Sequence, residues 1–126
     1  MKGATVMLNS NVDEYKRGDI VWVDFGETDE GEQGGIRPAV IIQNNVGNKY
    51  SPCVIVAPIT SKSKKPMGTH VGIKPDDTVG LTKPSIILTE QINTVNKKKI
   101  IKKAGQISEN MVKCINRAIC FSLALA

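Results

Sequence analysis

In EGEQGGIRPAVII, residues 30–42, a lone arginine follows two glycines and precedes a proline at the mouth of an apolar run. Pro38 restricts Arg37 toward extended backbone, so its side chain leaves the chain from a defined point. A guanidinium placed there suits phosphate oxygens, which it meets with paired, charge-assisted hydrogen bonds. Thr60, closing CVIVAPIT (53–60), offers a hydroxyl to the same kind of group, and Glu32 a carboxylate able to take a proton. Each has a plainer reading as well. Arg37 can pair on the surface with Glu30 or Glu32, Thr60 is an ordinary β-branched strand end, and Glu32 an ordinary solvated loop acid. The residue types alone leave both readings open.

Other chemical signatures are sparse. The sequence holds no Walker loop, GxGxxG, GxSxG or HExxH. The one histidine, His70, excludes a two-histidine acid–base pair within the chain, and beside Thr69 in a strand it reads as structural. Asp76 and Asp77 fall in a turn, where turn formation and solvation explain them. Cys53, Cys114 and Cys120 fit no CxxC or Cys/His zinc spacing and read as small buried hydrophobes in a reducing compartment. The expected chemistry is therefore free of metal and cofactor. One reaction class needs nothing more, because RNA carries its own nucleophile, the 2′-hydroxyl. The protein must then help remove the 2′ proton, stabilise charge on phosphorus and protonate the leaving 5′ oxygen.

The charge distribution fits such a substrate. Residues 1–32 hold eight acids against three basic side chains, whereas residues 33–126 hold four acids against 14 basic ones. A surface so basic suits a polyanion, although lysine-rich loops also form ordinary solvated faces. No apolar stretch approaches the roughly 20 residues of a membrane helix. The N-terminus lacks the apolar segment of a secretory signal, so cytoplasmic residence and no membrane partner are expected.

The elements that must position these residues follow from alternation and turn chemistry. RGDIVWVDFG (17–26) reads as a strand with Ile20, Trp22 and Asp24 on one face and Val21, Val23 and Phe25 on the other. Both faces are largely apolar, as in a strand covered on each side. ETDEGEQGG (27–35) is long for a hairpin loop and so a candidate functional loop. PAVIIQ (38–43), CVIVAPIT (53–60), THVGIK (69–74) and SIILTEQINTVN (85–96) read as further strands, separated by turn-rich NNVGNKYSP (44–52), basic SKSKKPMG (61–68) and PDDTVGLTKP (75–84). Pro58 implies an edge or a bulge near the end of its strand. KKKIIKKAGQIS (97–108) reads as a short strand or a helical turn. The tail from Ser108 to Leu125 is a capped amphipathic helix, with Val112, Ile115 and Ile119 on one stripe and Met111, Cys114, Ala118, Phe121 and Leu125 on the next. The expected fold is a small, mostly antiparallel β-barrel of α+β class with a C-terminal helix, one domain over 16–126 behind a flexible extension at 1–15.

Read together, RGDIVWVDFG, EQGGIRPAVIIQNNVGNKYSP (32–52), PIT (58–60) and SIILTEQINTV (85–95) resemble the MazF/PemK family of bacterial toxin endoribonucleases, closest to its Gram-positive branch. The resemblance covers about residues 16 to 125. It implies an SH3-like or CcdB-like barrel, a homodimer, and metal-independent cleavage of single-stranded RNA within a short sequence, leaving a cyclic phosphate and a 5′-hydroxyl. It also implies a cognate MazE-like antitoxin whose acidic tail covers the RNA groove. On matching positions, Arg37 stabilises the phosphorane or donates the proton, Thr60 supports the oxyanion, and Glu32 is the general base proposed in some members. Gln33, Asn44, Ser61, Glu90 and Gln91 align with segments lining the RNA groove, and the basic loop bearing Lys62, Lys64 and Lys65 borders it. Two rivals of other classes stand beside this reading: a non-catalytic CcdB-like poison of DNA gyrase on a related barrel, and an RNA-binding SH3-like module, suggested by RGDIVWV although such modules lack the C-terminal helix. GGIRP together with Thr60 favours the nuclease, since a gyrase poison has no need of either.

Overall fold

A computed structural model of the protein describes residues 14–62, 65–75 and 81–125; residues 1–13, Lys64, Asp76 and Asp77 lie outside the described residues. In chain order the elements are β1 (Asp19–Asp24), β2 (Ile36–Ile41), α1 (Asn45–Tyr50), β3 (Cys53–Thr60), β4 (His70–Ile73), β5 (Ser85–Leu88), β6 (Asn93–Asn96), β7 (Ile100–Gln106) and α2 (Glu109–Ser122). The strands form one antiparallel sheet in the order β4-β5-β3-β2-β1-β7, with β6 pairing β3 beside that path. This is the expected α+β architecture.

Alternation along the central strands sends side chains into two cores. Ile20, Val40, Ala57 and Ile59 join one apolar cluster with Met111, Ile115 and Ala118 of α2, while Val21, Val23, Ala39, Ile41 and Val56 join a second with Val54 and Val95. Both faces of β1, β2 and β3 are thus covered, which is why their sequences read as continuous apolar runs. Tyr15, the last residue of the expected N-terminal extension, is buried in the second cluster.

Three readings change in register or type. β2 starts at Ile36, so Arg37 is itself a strand residue, opposite Val23 of β1. Pro38 is accommodated because the β2–β3 ladder begins only at Ala39. The turn-rich stretch 44–52 contains α1, whose N-terminus is capped by Asn44 accepting the Gly47 N–H at 2.8 Å. The stretch 85–96 is two strands rather than one. Between them Thr89 is fully buried, and its N–H and hydroxyl both turn to the Thr69 carbonyl at 3.1 and 2.6 Å, folding Thr89–Gln91 into a 3-10 turn.

Pro58 marks a change of partner. Cys53–Val56 pair with β6, Ile59 and Thr60 pair with β5, and Pro58 lies between the two ladders. A missing N–H there interrupts neither. In α2, Ser108 caps the N-terminus through the Met111 N–H, and Met111, Ile115 and Ala118 form the buried stripe. Phe121 and Leu125, grouped with that stripe on periodicity, are instead exposed, and the Phe121 ring lies over Gly68, where a Cβ would come within 2.6 Å of it. The three cysteines are unpaired thiols, and they are partly buried rather than enclosed in the core. Because α2 fastens the first cluster through Ile115, Ile115→Ala is expected to lower unfolding free energy by about 2–5 kcal/mol in urea denaturation. Phe121→Ala should cost less than about 1 kcal/mol, since its ring is mostly solvated.

A basic cleft as candidate active site

The start of β2 and the end of β3 lie side by side, and between them opens a cleft of about 370 Å³. Trp22, Ile59 and Leu81 give it apolar walls, and Arg37, Lys62 and Lys83 bring positive charge. Thr60 and Ser61 add hydroxyls. The Thr60 side chain is almost fully buried, and its oxygen accepts the Lys62 N–H at 3.2 Å, which leaves its own proton to donate. Arg37 and Thr60, 23 positions apart along the chain, therefore line one cleft.

Arg37 is held by neutral groups. Its Nε donates to the Gly34 carbonyl at 2.9 Å and a terminal nitrogen donates to the Gln33 side-chain oxygen. The alternative pairing with Glu30 or Glu32 does not form. Burial without a carboxylate partner lowers the Arg37 pKa from its ordinary value, the direction expected when a cation loses water and gains no counter-charge. The guanidinium remains charged and has N–H donors left over for an anion. Gln33 is in turn fixed from the other side: its backbone N–H donates to Gln91 Oε1 at 2.9 Å, while Gln91 Nε2 donates to the Gly31 carbonyl at 3.0 Å.

Glu32 stands apart from this cleft. Its carboxylate accepts the Asp29 N–H at 2.8 Å, and with Glu27, Thr28 and Asp29 it lines a separate acidic concavity. These loop acids and the basic residues of the cleft thus line different concavities. The two glycines before Ile36 have distinct geometric reasons. Gly35 has φ 73°, and a Cβ on Gly34 would come 2.4 Å from the Thr28 hydroxyl.

The remaining expected residues scatter. Ser61 and Lys62 line the cleft. Glu90 accepts from His70 Nε2 at 3.0 Å and from the Thr69 hydroxyl at 3.2 Å, on the turn that also carries Gln91. His70 is thereby paired with an acid while its Nδ1 is buried without a partner. Asn44 caps α1 beyond the far end of β2 from Arg37. Sequence reasoning missed Trp22, Leu81 and Lys83. Trp22 becomes a cleft residue through its register opposite Pro38, a relation between strands that no local pattern carries. Among the described residues, no group of three or more His, Cys, Asp or Glu side chains is placed to hold a metal ion.

Fold and cleft together define a small basic barrel protein with a site suited to phosphate oxygens. Residues 16–123 match the family described as PemK-like, MazF-like toxin of type II toxin-antitoxin system. The chain is 47% identical over 111 residues to the Endoribonuclease MazF of Staphylococcus saprophyticus, a match covering 87% of this chain and 92% of that protein. Among solved structures it is similar to an endoribonuclease in complex with its cognate antitoxin from a mycobacterial species, with a TM-score of 0.74 at 24% identity over 89% of this chain and 97% of that one. It is likewise similar to MazF from Deinococcus radiodurans, with a TM-score of 0.74 at 18% identity over 87% and 96% of the two chains. The chain belongs to the PemK-like, MazF-like toxins of type II toxin-antitoxin systems.

The cap made by Asn44 gives a structural prediction. Asn44→Ala is expected to lower stability by about 1 kcal/mol in urea denaturation, through loss of the bond to the Gly47 N–H.

Proposed function

We propose that this chain is an endoribonuclease toxin that cuts single-stranded RNA within a short sequence, by 2′-hydroxyl attack and without a metal. The observation that carries the reading is the convergence of Arg37 and Thr60 on one basic cleft. The kinship with an enzyme named Endoribonuclease MazF supports it.

In this mechanism the scissile phosphate sits against the Arg37 guanidinium. Its free N–H donors take the non-bridging oxygens as charge develops on phosphorus, and the Thr60 hydroxyl donates to the same group. The 2′ oxygen attacks phosphorus, the P–O5′ bond breaks as the 5′ oxygen takes a proton from Arg37 or from solvent water, and the products are a 2′,3′-cyclic phosphate and a 5′-hydroxyl. Glu32 is the proposed base for the 2′ proton, a role that requires its carboxylate to leave the Asp29 N–H. Lys62 and Lys83 take the flanking backbone, and Ser61 and Glu90 contribute to base readout. The active form is a homodimer in the cytoplasm, neutralised by a cognate antitoxin with an acidic segment that competes for the basic cleft. No helix among the described residues is long and apolar enough to cross a membrane.

A digest of varied single-stranded RNA in excess EDTA tests the core of this reading. Wild type should cut, and Arg37→Ala should cut on the order of 10²–10³-fold more slowly, as for the loss of one donor to a developing charge. Abolition of wild-type cleavage by EDTA would refute the metal-free mechanism. No cleavage by folded protein across the whole pool would transfer the reading to protein binding. Glu32→Gln separates the base from the loop: about 10²-fold loss of rate with RNA binding retained is expected, and unchanged rate would remove Glu32 from the chemistry.

A further inference from the structure

Gln33 and Gln91, both expected from the resemblance to meet RNA, are engaged with each other in the free chain. The 3-10 turn that carries Gln91 is pinned on several sides. Thr89 is fully buried and bound to the Thr69 carbonyl through its N–H and its hydroxyl. The Thr89 carbonyl accepts the Ser122 hydroxyl of α2 at 3.2 Å. Glu90 is tied to Thr69 and to His70 at the head of β4. A turn so pinned fixes the point from which the Gln91 side chain leaves the chain.

From that root the Gln91 carboxamide spans the β1–β2 loop. Its oxygen accepts the Gln33 N–H, and its nitrogen donates to the Gly31 carbonyl. The two bonds enclose Glu32, so they fix both the chain on which Glu32 rides and the backbone from which the Gln33 side chain departs. The Gln33 side-chain oxygen then takes a terminal N–H of Arg37, whose Nε is already bound to the Gly34 carbonyl. A fork restrained through two of its donors has a defined plane. The acceptors are uncharged, so they orient the guanidinium without neutralising it.

We infer that Gln91 is a positioning residue for the proposed cleavage: acting through Gln33, it sets the plane in which Arg37 presents its free N–H donors to the phosphate. The inference rests on the ribonuclease reading, but its structural half concerns the free protein and is measurable without RNA. A carboxamide is suited to this task because it donates and accepts at once. Gln91→Glu keeps the acceptor for the Gln33 N–H and loses the donor to Gly31, so it should retain part of the effect that Gln91→Ala abolishes.

The experiment combines two arms. In the first, the Arg37 Nε–Hε resonance of the free protein is followed by NMR in wild type, Gln91→Ala, Gln91→Glu and Gln33→Ala. Faster solvent exchange of that proton is expected in both alanine variants, with Gln91→Glu intermediate. An unchanged Arg37 signal in Gln91→Ala would overturn the inference, whatever the protein does to RNA. In the second, single-turnover cleavage is measured at saturating concentrations of an oligonucleotide bearing a site mapped in the digest. Affinity is measured on the same strand with a 2′-deoxy sugar at that site. Gln91→Ala should slow cleavage about 10- to 100-fold, the scale of a small misplacement, with affinity changed by less than about threefold. Because the two glutamines act in series, the double variant should be no slower than Gln33→Ala alone. An affinity loss matching the rate loss, or independent multiplication of the two effects, would show Gln91 to be an RNA contact and no positioning residue. Absence of wild-type cleavage would count against the ribonuclease reading alone and leave the first arm to decide the Arg37 geometry.

Discussion

A cation has to be held still without being cancelled, and the chain around Arg37 answers to that constraint. A carboxylate partner would orient the guanidinium more strongly, but it would also compete with any phosphate for the same donors. Here the holding groups are the Gly34 carbonyl and the Gln33 carboxamide. Glu32, the loop acid nearest in sequence, is engaged elsewhere, accepting the Asp29 N–H. The cost is a partly dehydrated positive charge with no counter-ion, visible in the lowered Arg37 pKa. Binding an anion would relieve that cost, and the lining of the cleft holds no carboxylate to compete for the same donors.

The sheet supplies the rigidity. Arg37 is part of β2, hydrogen-bonded to β1, and the strand is buried on both faces a residue or two further on. Thr60 arrives at the same cleft because β3 switches from β6 to β5 around Pro58, which carries its last two residues onto the β4–β5 side. The partner switch is thus more than an accommodation of proline. It puts a buried hydroxyl beside an arginine from a different strand. Helix α2 serves the site indirectly, by sealing the first cluster and by bonding Ser122 to the turn under Glu90 and Gln91.

Much of this was legible in the residues. Alternation and turn chemistry located the strands, because the two-residue period and the demands of turns are local properties. Arg37 could be singled out because Pro38 disciplines its backbone, and Thr60 because it closes an apolar strand just before a basic loop. Local reasoning failed where a tertiary bond overrode it. Thr89 looked like one more strand residue until its hydroxyl and N–H found the Thr69 carbonyl. Phe121 shared the periodicity of a buried stripe, yet α2 presents it to Gly68 and solvent. The two glycines before Ile36 look alike in the sequence, yet Gly34 is required by the nearness of Thr28 and Gly35 by its positive φ.

The sequence by itself determined most of the succession of elements, the basic character of the chain after residue 32, and the presence of an arginine held toward extended backbone by Pro38. These depend on neighbours in the chain, and neighbours can be read. Only the tertiary structure decided which polar groups meet. Gln33 and Gln91 lie 58 positions apart, and nothing in either segment names the other. Glu32 and Arg37 lie five positions apart in the sequence, yet they face different concavities. Hydrogen bonds are short and directional, so their pairing is set by how strands register and loops close, and closeness along the chain is a poor guide to it.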